Sequence, residues 1–159
     1  MNRAWAPNGA DRFYNLVKSG FYDGQRFFRV VKGFVVQWGI AGDPATAAAW
    51  SNARIGDDPV QEKNATGTLT FAKSGPNSRT TQVFINLSDN RRTLDKTGFA
   101  PFAVVVEGMD VVRQLYGGYG DMVAQGGRGV DTTRLYQEGN AYLDRSFPKL
   151  DRIVKASLL

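Results

Sequence analysis

The spacing of apolar residues changes period several times along the chain, and each change marks an element. Over "APNGADRFYNLVKSG" (6–20), Ala10, Phe13 and Leu16/Val17 recur at helical spacing. Asn8 suits the N-cap of that helix, with Asp11 three residues on as in a capping box, and Gly20 supplies the stop. "FYDGQRFFRVV" then joins an Asp-Gly turn to a β-branched and aromatic run, which reads as a turn into a strand. Lys32-Gly33 interrupts that run and "FVVQW" resumes it. Two antiparallel strands around the interruption would bring Arg29 near Gln37, because alternate residues of a strand share a face.

Residues 39–66 read as a long excursion with one short helical turn near the alanines. Strand patterns return in "GTLTFA", "TQVFINLS" and "FAPFAVVV", separated by loops rich in Gly, Pro, Asn and Ser. "EGMDVVRQLYGG" places Met109, Val112 and Leu115/Tyr116 at helical spacing and ends in two glycines. The glycines of 117–129 read as a connecting loop, since they follow a helix and match neither nucleotide-binding spacing. Leu150, Ile153 and Val154 suit a closing strand. With no repeat and no boundary, residues 1–159 are expected to form a single, mainly β domain: a barrel or sandwich capped by two helices.

Composition then narrows the chemistry. The chain has no cysteine and no histidine, which removes disulfides, thiol nucleophiles, imidazole bases and the usual zinc sites. No metal and no cofactor is expected. Asp43, Asp57, Asp58 and Glu62 have no spacing that suits a calcium or magnesium loop, and Asp57-Asp58-Pro59 reads as a turn. "NAT" at 64 and "NLS" at 86 match a glycosylation sequon by chance. Net charge is +5, yet the basic residues are dispersed among acids, so a solvated surface is expected rather than a nucleic-acid interface. The apolar runs are too short to span a membrane, so no membrane association is expected. The compartment is open: cytoplasmic by default, periplasmic or secreted if an N-terminal signal has been lost.

One pair stands out. Arg29 and Gln37 sit within "FFRVVKGFVVQWG", where a guanidinium is paired, exposed at a rim, or employed in chemistry. The pattern alone leaves those three open.

Three segments in order, "FFRVVKGFVVQWG", "GTLTFAKSGPNSRTTQVFINLSDN" and "LDKTGFAPFAVVVEGMDVV", resemble cyclophilin-type peptidyl-prolyl isomerases. The similarity covers roughly residues 7 to 115, and "QEGNAYLDRSFPKLD" resembles a bacterial subgroup of that family. The resemblance implies an eight-stranded antiparallel β-barrel capped by two α-helices, with a proline-binding groove outside the barrel. It implies a peptidyl-prolyl cis-trans isomerase acting on proline-containing peptides or unfolded segments, without cofactor. Arg29 matches the essential arginine and Gln37 the glutamine that holds the substrate backbone. Phe34, Val35, Phe84 and Leu94 match the proline pocket, Gln82 a second groove glutamine, and Ala72 and Lys73 the neighbouring wall. Phe99 stands where histidine is frequent, Val35 where methionine is usual, and Lys73 where asparagine is usual. Thr93 replaces an aromatic that contacts cyclosporin, so weak cyclosporin binding is expected. A non-catalytic proline-peptide-binding module on the same fold is the alternative.

Family members carry an N-terminal strand pair before the first helix, and "MNRAW" is too short to supply it. The expectation is that Met1 is not the native start or that the barrel has an open edge.

Overall fold

The computed structural model describes residues 1–159. Its helices are α1 (Pro7–Lys18), α2 (Pro44–Trp50), α3 (Arg91–Leu94), α4 (Met109–Gln114), α5 (Thr132–Glu138) and α6 (Asn140–Ser146). The strands are β1 (Arg29–Val31), β2 (Val35–Trp38), β3 (Thr68–Phe71), β4 (Val83–Asn86) and β5 (Pro101–Val104). They form one antiparallel sheet in the order β1-β2-β4-β3-β5. The fold is mainly sheet with helical caps, as expected, but the sheet is not closed. Five strands replace the eight of the expected barrel. At the outer edge of β5, Asn2 N–H donates to the Phe102 carbonyl at 2.8 Å, a single bond where a paired strand would supply a ladder.

The two sheet faces divide the labour. Trp38, Leu69, Phe71, Val83 and Ile85 point inward, and α1 packs against them with Ala10, Leu16 and Val17. Phe71 and Val83 are fully buried there. A second cluster joins Phe28 and Ile40 to Val130, Leu135, Tyr142 and Leu143, so α5 and α6 pack beside the sheet rather than beneath it. The opposite sheet face carries Arg29, Val35, Gln37 and Phe84, and the site is built on it.

Several local expectations need correction. Asn8 does not cap α1, whose cap position is Ala6; Asn8 lies inside the first turn. The cap arrives from across the chain, with Asn8 N–H donating to Asp58 Oδ1 at 3.0 Å and Gly9 N–H to Asp58 Oδ2 at 2.9 Å. Asp11 instead holds Arg3 through two hydrogen bonds. The helical turn near the alanines is α2, capped by the Asp43 side chain accepting from Thr46 N–H at 2.8 Å. The closing strand reduces to one antiparallel bridge, Arg26 with Arg152, because Val154 lies exposed while Leu150 and Ile153 face different clusters. The two expected helices become six: α3 forms in a segment read as a loop, and α5 and α6 were not foreseen.

Asn64 and Asn86 are completely buried, which bars glycosylation at both sequons. They are structural. Asn64 donates to Asp95 Oδ1 and to the Phe99 carbonyl, and Asn86 donates to Thr68 Oγ1. Asn90 adds a bond to the Phe34 carbonyl at 3.0 Å. This network ties α3 and the loop after it to the sheet. No helix is long and apolar enough to cross a membrane, and no cluster of three or more metal-ligating side chains forms.

Candidate active site

The hairpin of β1 and β2 builds the centre of the site. Gly33 adopts φ +75 in the connecting turn, a conformation that glycine enters without steric cost, and Phe34 N–H donates back to the Val31 carbonyl at 2.9 Å. That turn sets the register Arg29↔Gln37 and Val31↔Val35. Paired residues share a face, so Arg29 and Gln37 lie side by side, and Arg29 Nη1 donates to Gln37 Oε1 at 2.9 Å. The next pairing places Gln37 opposite Phe84, and Thr70 lies opposite Phe84 from the other side.

Gln82 extends the polar row. Gln37 Nε2 donates to Gln82 Oε1 at 2.9 Å, and Gln82 Nε2 donates to Tyr136 Oη at 3.2 Å. Burial pushes the Tyr136 phenol above its ordinary range, while its bond with Gln82 acts the other way. At the opposite end, Asp121 accepts from Arg29 Nε at 2.7 Å and from Nη2 at 3.2 Å. The row therefore runs Asp121, Arg29, Gln37, Gln82, Tyr136 without a gap.

Beside it lies an apolar well. Val35, Phe84 and Leu94 are buried, with Phe34, Ala72 and Phe99 packed against them. Phe84 and Phe99 meet edge to face, centroids 5.9 Å apart at 67°. The Arg29 guanidinium stands over the Phe34 ring at 5.5 Å, and Lys73 Nζ over the Phe99 ring at 5.6 Å. Lys73 also reaches Asp57 at 3.4 Å.

All ten residues singled out from the sequence line one groove of about 450 Å³: Arg29, Phe34, Val35, Gln37, Ala72, Lys73, Gln82, Phe84, Leu94 and Phe99. Sequence reasoning missed its other wall, to which the Gly-rich segment contributes Met122, Ala124 and Gln125 and α5 contributes Thr132. Asp121 and Tyr136 were missed with it. The signal for α5 and α6 was present: Asp131 ahead of Leu135, Gly139, Tyr142 and Leu143 is a cap followed by helical spacing. Nothing local in the sequence pairs Asp121 with Arg29, ninety-two residues away.

The arrangement holds a cation, two amides and a small apolar well on one surface, with no imidazole or thiol. It can grip a small ring while presenting hydrogen-bond donors to an adjoining backbone.

Comparisons with known proteins agree. The family model for cyclophilin-type peptidyl-prolyl cis-trans isomerases matches residues 1–142. A peptidyl-prolyl cis-trans isomerase of Acinetobacter baylyi is 37% identical over 118 residues, which cover 69% of this chain and 61% of that protein. Peptidyl-prolyl cis-trans isomerase B of Escherichia coli is 35% identical over 120 residues, covering 70% of this chain and 73% of the relative. Among solved structures, a cyclophilin of Cryptosporidium parvum shares the fold with a TM-score of 0.58 at 23% identity, over 72% of this chain and 75% of that one. This chain belongs to the cyclophilin-type peptidyl-prolyl cis-trans isomerase family.

Proposed function

We propose that this chain accelerates cis–trans rotation about X-Pro bonds in peptides and unfolded segments, with Arg29 as its catalytic residue and the apolar well as its proline pocket. The observation that carries the reading is the placement of Arg29 beside the well of Val35, Phe84 and Leu94, on the same sheet face.

Resonance in the amide raises a rotational barrier of about 18–20 kcal/mol. Twisting the bond by a quarter turn localises the nitrogen lone pair, so that nitrogen becomes a hydrogen-bond acceptor. A guanidinium beside it gains that bond only at the transition state, which accelerates the reaction rather than merely tightening binding. No proton is transferred and no covalent bond forms, so a chain without histidine or cysteine is equipped for it.

One charge-assisted bond contributes about 1.5–3 kcal/mol. A rate gain of ~10⁵ requires about 7 kcal/mol. The pocket supplies part of the difference by gripping the pyrrolidine ring while the preceding carbonyl turns, in surroundings that disfavour the more polar planar amide. Gln37 and Gln82 hold the substrate backbone in register, and Ala72 and Lys73 border it. A structure of the Cryptosporidium cyclophilin was solved in the presence of the dipeptide Ala-Pro, and it shares the fold with this chain at a TM-score of 0.54. Thr93, next to Leu94 in sequence, is exposed and small where an aromatic is frequent in the family, which supports weak cyclosporin binding.

The test is two-dimensional NMR exchange on a short Ala-Pro peptide, with the wild-type chain and Arg29→Ala in parallel. Fast exchange with wild type, reduced by about 2–4 kcal/mol of transition-state stabilisation in a folded variant, is expected. Unchanged turnover in Arg29→Ala would overturn the assignment, and peptide binding without exchange would make the chain a binding module.

A further inference from the structure

Arg29 is held from two sides, and only one of them belongs to the hairpin that presents it. Gln37 takes one Nη1 hydrogen. The Asp121 carboxylate takes Nε and one Nη2 hydrogen in a two-pronged contact, the geometry in which carboxylate and guanidinium fix each other's plane. A guanidinium carries five N–H groups, so one on Nη1 and one on Nη2 remain.

Asp121 is itself fixed before it meets Arg29. Its Oδ1 also accepts from Met122 N–H at 2.8 Å, and its carbonyl accepts from Gly129 N–H at 2.8 Å. The glycines of the segment make that fold-back possible. A Cβ at Gly129 would sit 2.7 Å from the Asp121 carbonyl oxygen, and one at Gly127 would collide with the same atom. Val130, fully buried in the α5–α6 cluster, anchors the segment's far end. The run "YGDMVAQGGRG" is therefore more than a connector: it folds on itself and delivers a carboxylate to the back of the guanidinium.

Arginine has many rotamers, and a side chain that wanders presents its donors to a twisted nitrogen only part of the time. We infer that Asp121 is a positioning residue: through Nε and Nη2 it locks the plane of Arg29 and aims the free Nη hydrogens at the rotating amide. The inference rests on Arg29 being the catalytic residue. The opposite role, a carboxylate competing with substrate for the guanidinium, is the alternative that the test must separate.

The experiment compares wild type, Arg29→Ala and Asp121→Asn by NMR exchange on the Ala-Pro peptide, fitting kcat and KM separately and recording the Arg29 Nε–H resonance. Asp121→Asn is expected to lower kcat roughly tenfold to hundredfold, the scale of a misplaced reacting group, with little change in KM. The Arg29 Nε–H resonance should move and lose its protection from solvent exchange. Wild-type or raised kcat in Asp121→Asn would overturn the inference, as would lowered kcat with an undisturbed Nε–H. If Arg29→Ala keeps wild-type kcat, the reading of Arg29 falls first, and Asp121 with it. Should Asp121→Asn fail to fold, Asp121→Glu carries the test, since the extra methylene displaces the carboxylate but keeps its charge. There, a shifted Nε–H with lowered kcat supports positioning, and unchanged kcat overturns it.

Discussion

Asp58 and Arg79 form a buried ion pair at 3.0 Å that also starts a helix. Asp58 Oδ2 takes both Arg79 Nη2–H and Gly9 N–H, while Oδ1 takes Asn8 N–H. Asp58 is 6% exposed and Arg79 3%. Arg79 donates further to the Gly56 carbonyl and lies near Asp57. The pair joins α1, the long 51–67 connection and the loop before β4, three segments that Arg12 also links through the Ala53 and Thr80 carbonyls.

Asp58→Ala is expected to destabilise the protein by about 3–5 kcal/mol, because it leaves the Arg79 cation buried with less compensation and uncaps α1. Urea unfolding at neutral pH measures this. A loss below about 1 kcal/mol, the scale of an exposed pair, would show that the buried charge is not as desolvated as its exposure implies. Peptide exchange by the folded fraction should be unaffected, since neither residue lines the groove.

The groove row makes a different prediction. Gln37 accepts from Arg29 and donates to Gln82, so Gln37→Ala cuts the row in the middle. One Arg29 donor and one Gln82 acceptor then lose their partners, which is worth about 1–3 kcal/mol in a site this enclosed. We expect kcat/KM to fall by roughly one order of magnitude, with a smaller change in unfolding midpoint. Equal kcat/KM in wild type and variant would remove Gln37 from the mechanism.

These two cases show what the sequence could disclose. Arg29 and Gln37 were legible together because both lie on one hairpin, whose turn residues set the register and whose two-residue alternation set the face. The apolar well came from the resemblance instead, which matched Phe34, Val35, Phe84 and Leu94 to a proline pocket; strand pattern alone placed Val35 and Phe84 on strands without joining them to Leu94. Asp58 was not legible as a cap, because a helix start is read from neighbouring residues and this one is satisfied from fifty residues away. Asp121 was hidden in the same way, its partner chosen by the fold-back of a glycine-rich segment. Strand spacing suggested a barrel or sandwich, the closed eight-stranded form came from the resemblance, and the observed sheet is open with five strands. Leu135, Tyr142 and Leu143 did carry a helical signal, masked by Gly139 between α5 and α6.

The pocket wall should separate binding from rotation. Phe99 is only partly buried and meets the Phe84 ring edge to face. Phe99→Ala is expected to raise KM for Ala-Pro peptides by the loss of about 1–2 kcal/mol of apolar contact, while Arg29 and its partners stay in place. Kinetics by NMR exchange at several peptide concentrations would read both constants. A fall in kcat with constant KM would instead mean that the ring helps twist the amide.

Acid should weaken the turn that carries α3. Asp89 accepts from Arg91 N–H at 3.2 Å and forms a two-pronged contact with the Arg91 guanidinium, which holds its carboxyl down to about 2. An unfolded aspartate titrates near 3.9, so the folded state binds the proton more weakly. The sign follows: the stabilisation is complete above about pH 4 and disappears as pH falls through about 2. Asp11, Asp43 and Glu138 are lowered too, each mainly by a side-chain hydrogen bond, so the whole protein weakens in acid. Asp89→Asn isolates one contribution. Its melting temperature should lie below wild type at neutral pH, and the gap should close between about pH 4 and pH 2 as wild type loses the same charge. Added salt should narrow the gap at neutral pH, because the pair is solvent-exposed. A gap that stays constant across that range would place the effect of Asp89 in its turn geometry and not in its charge.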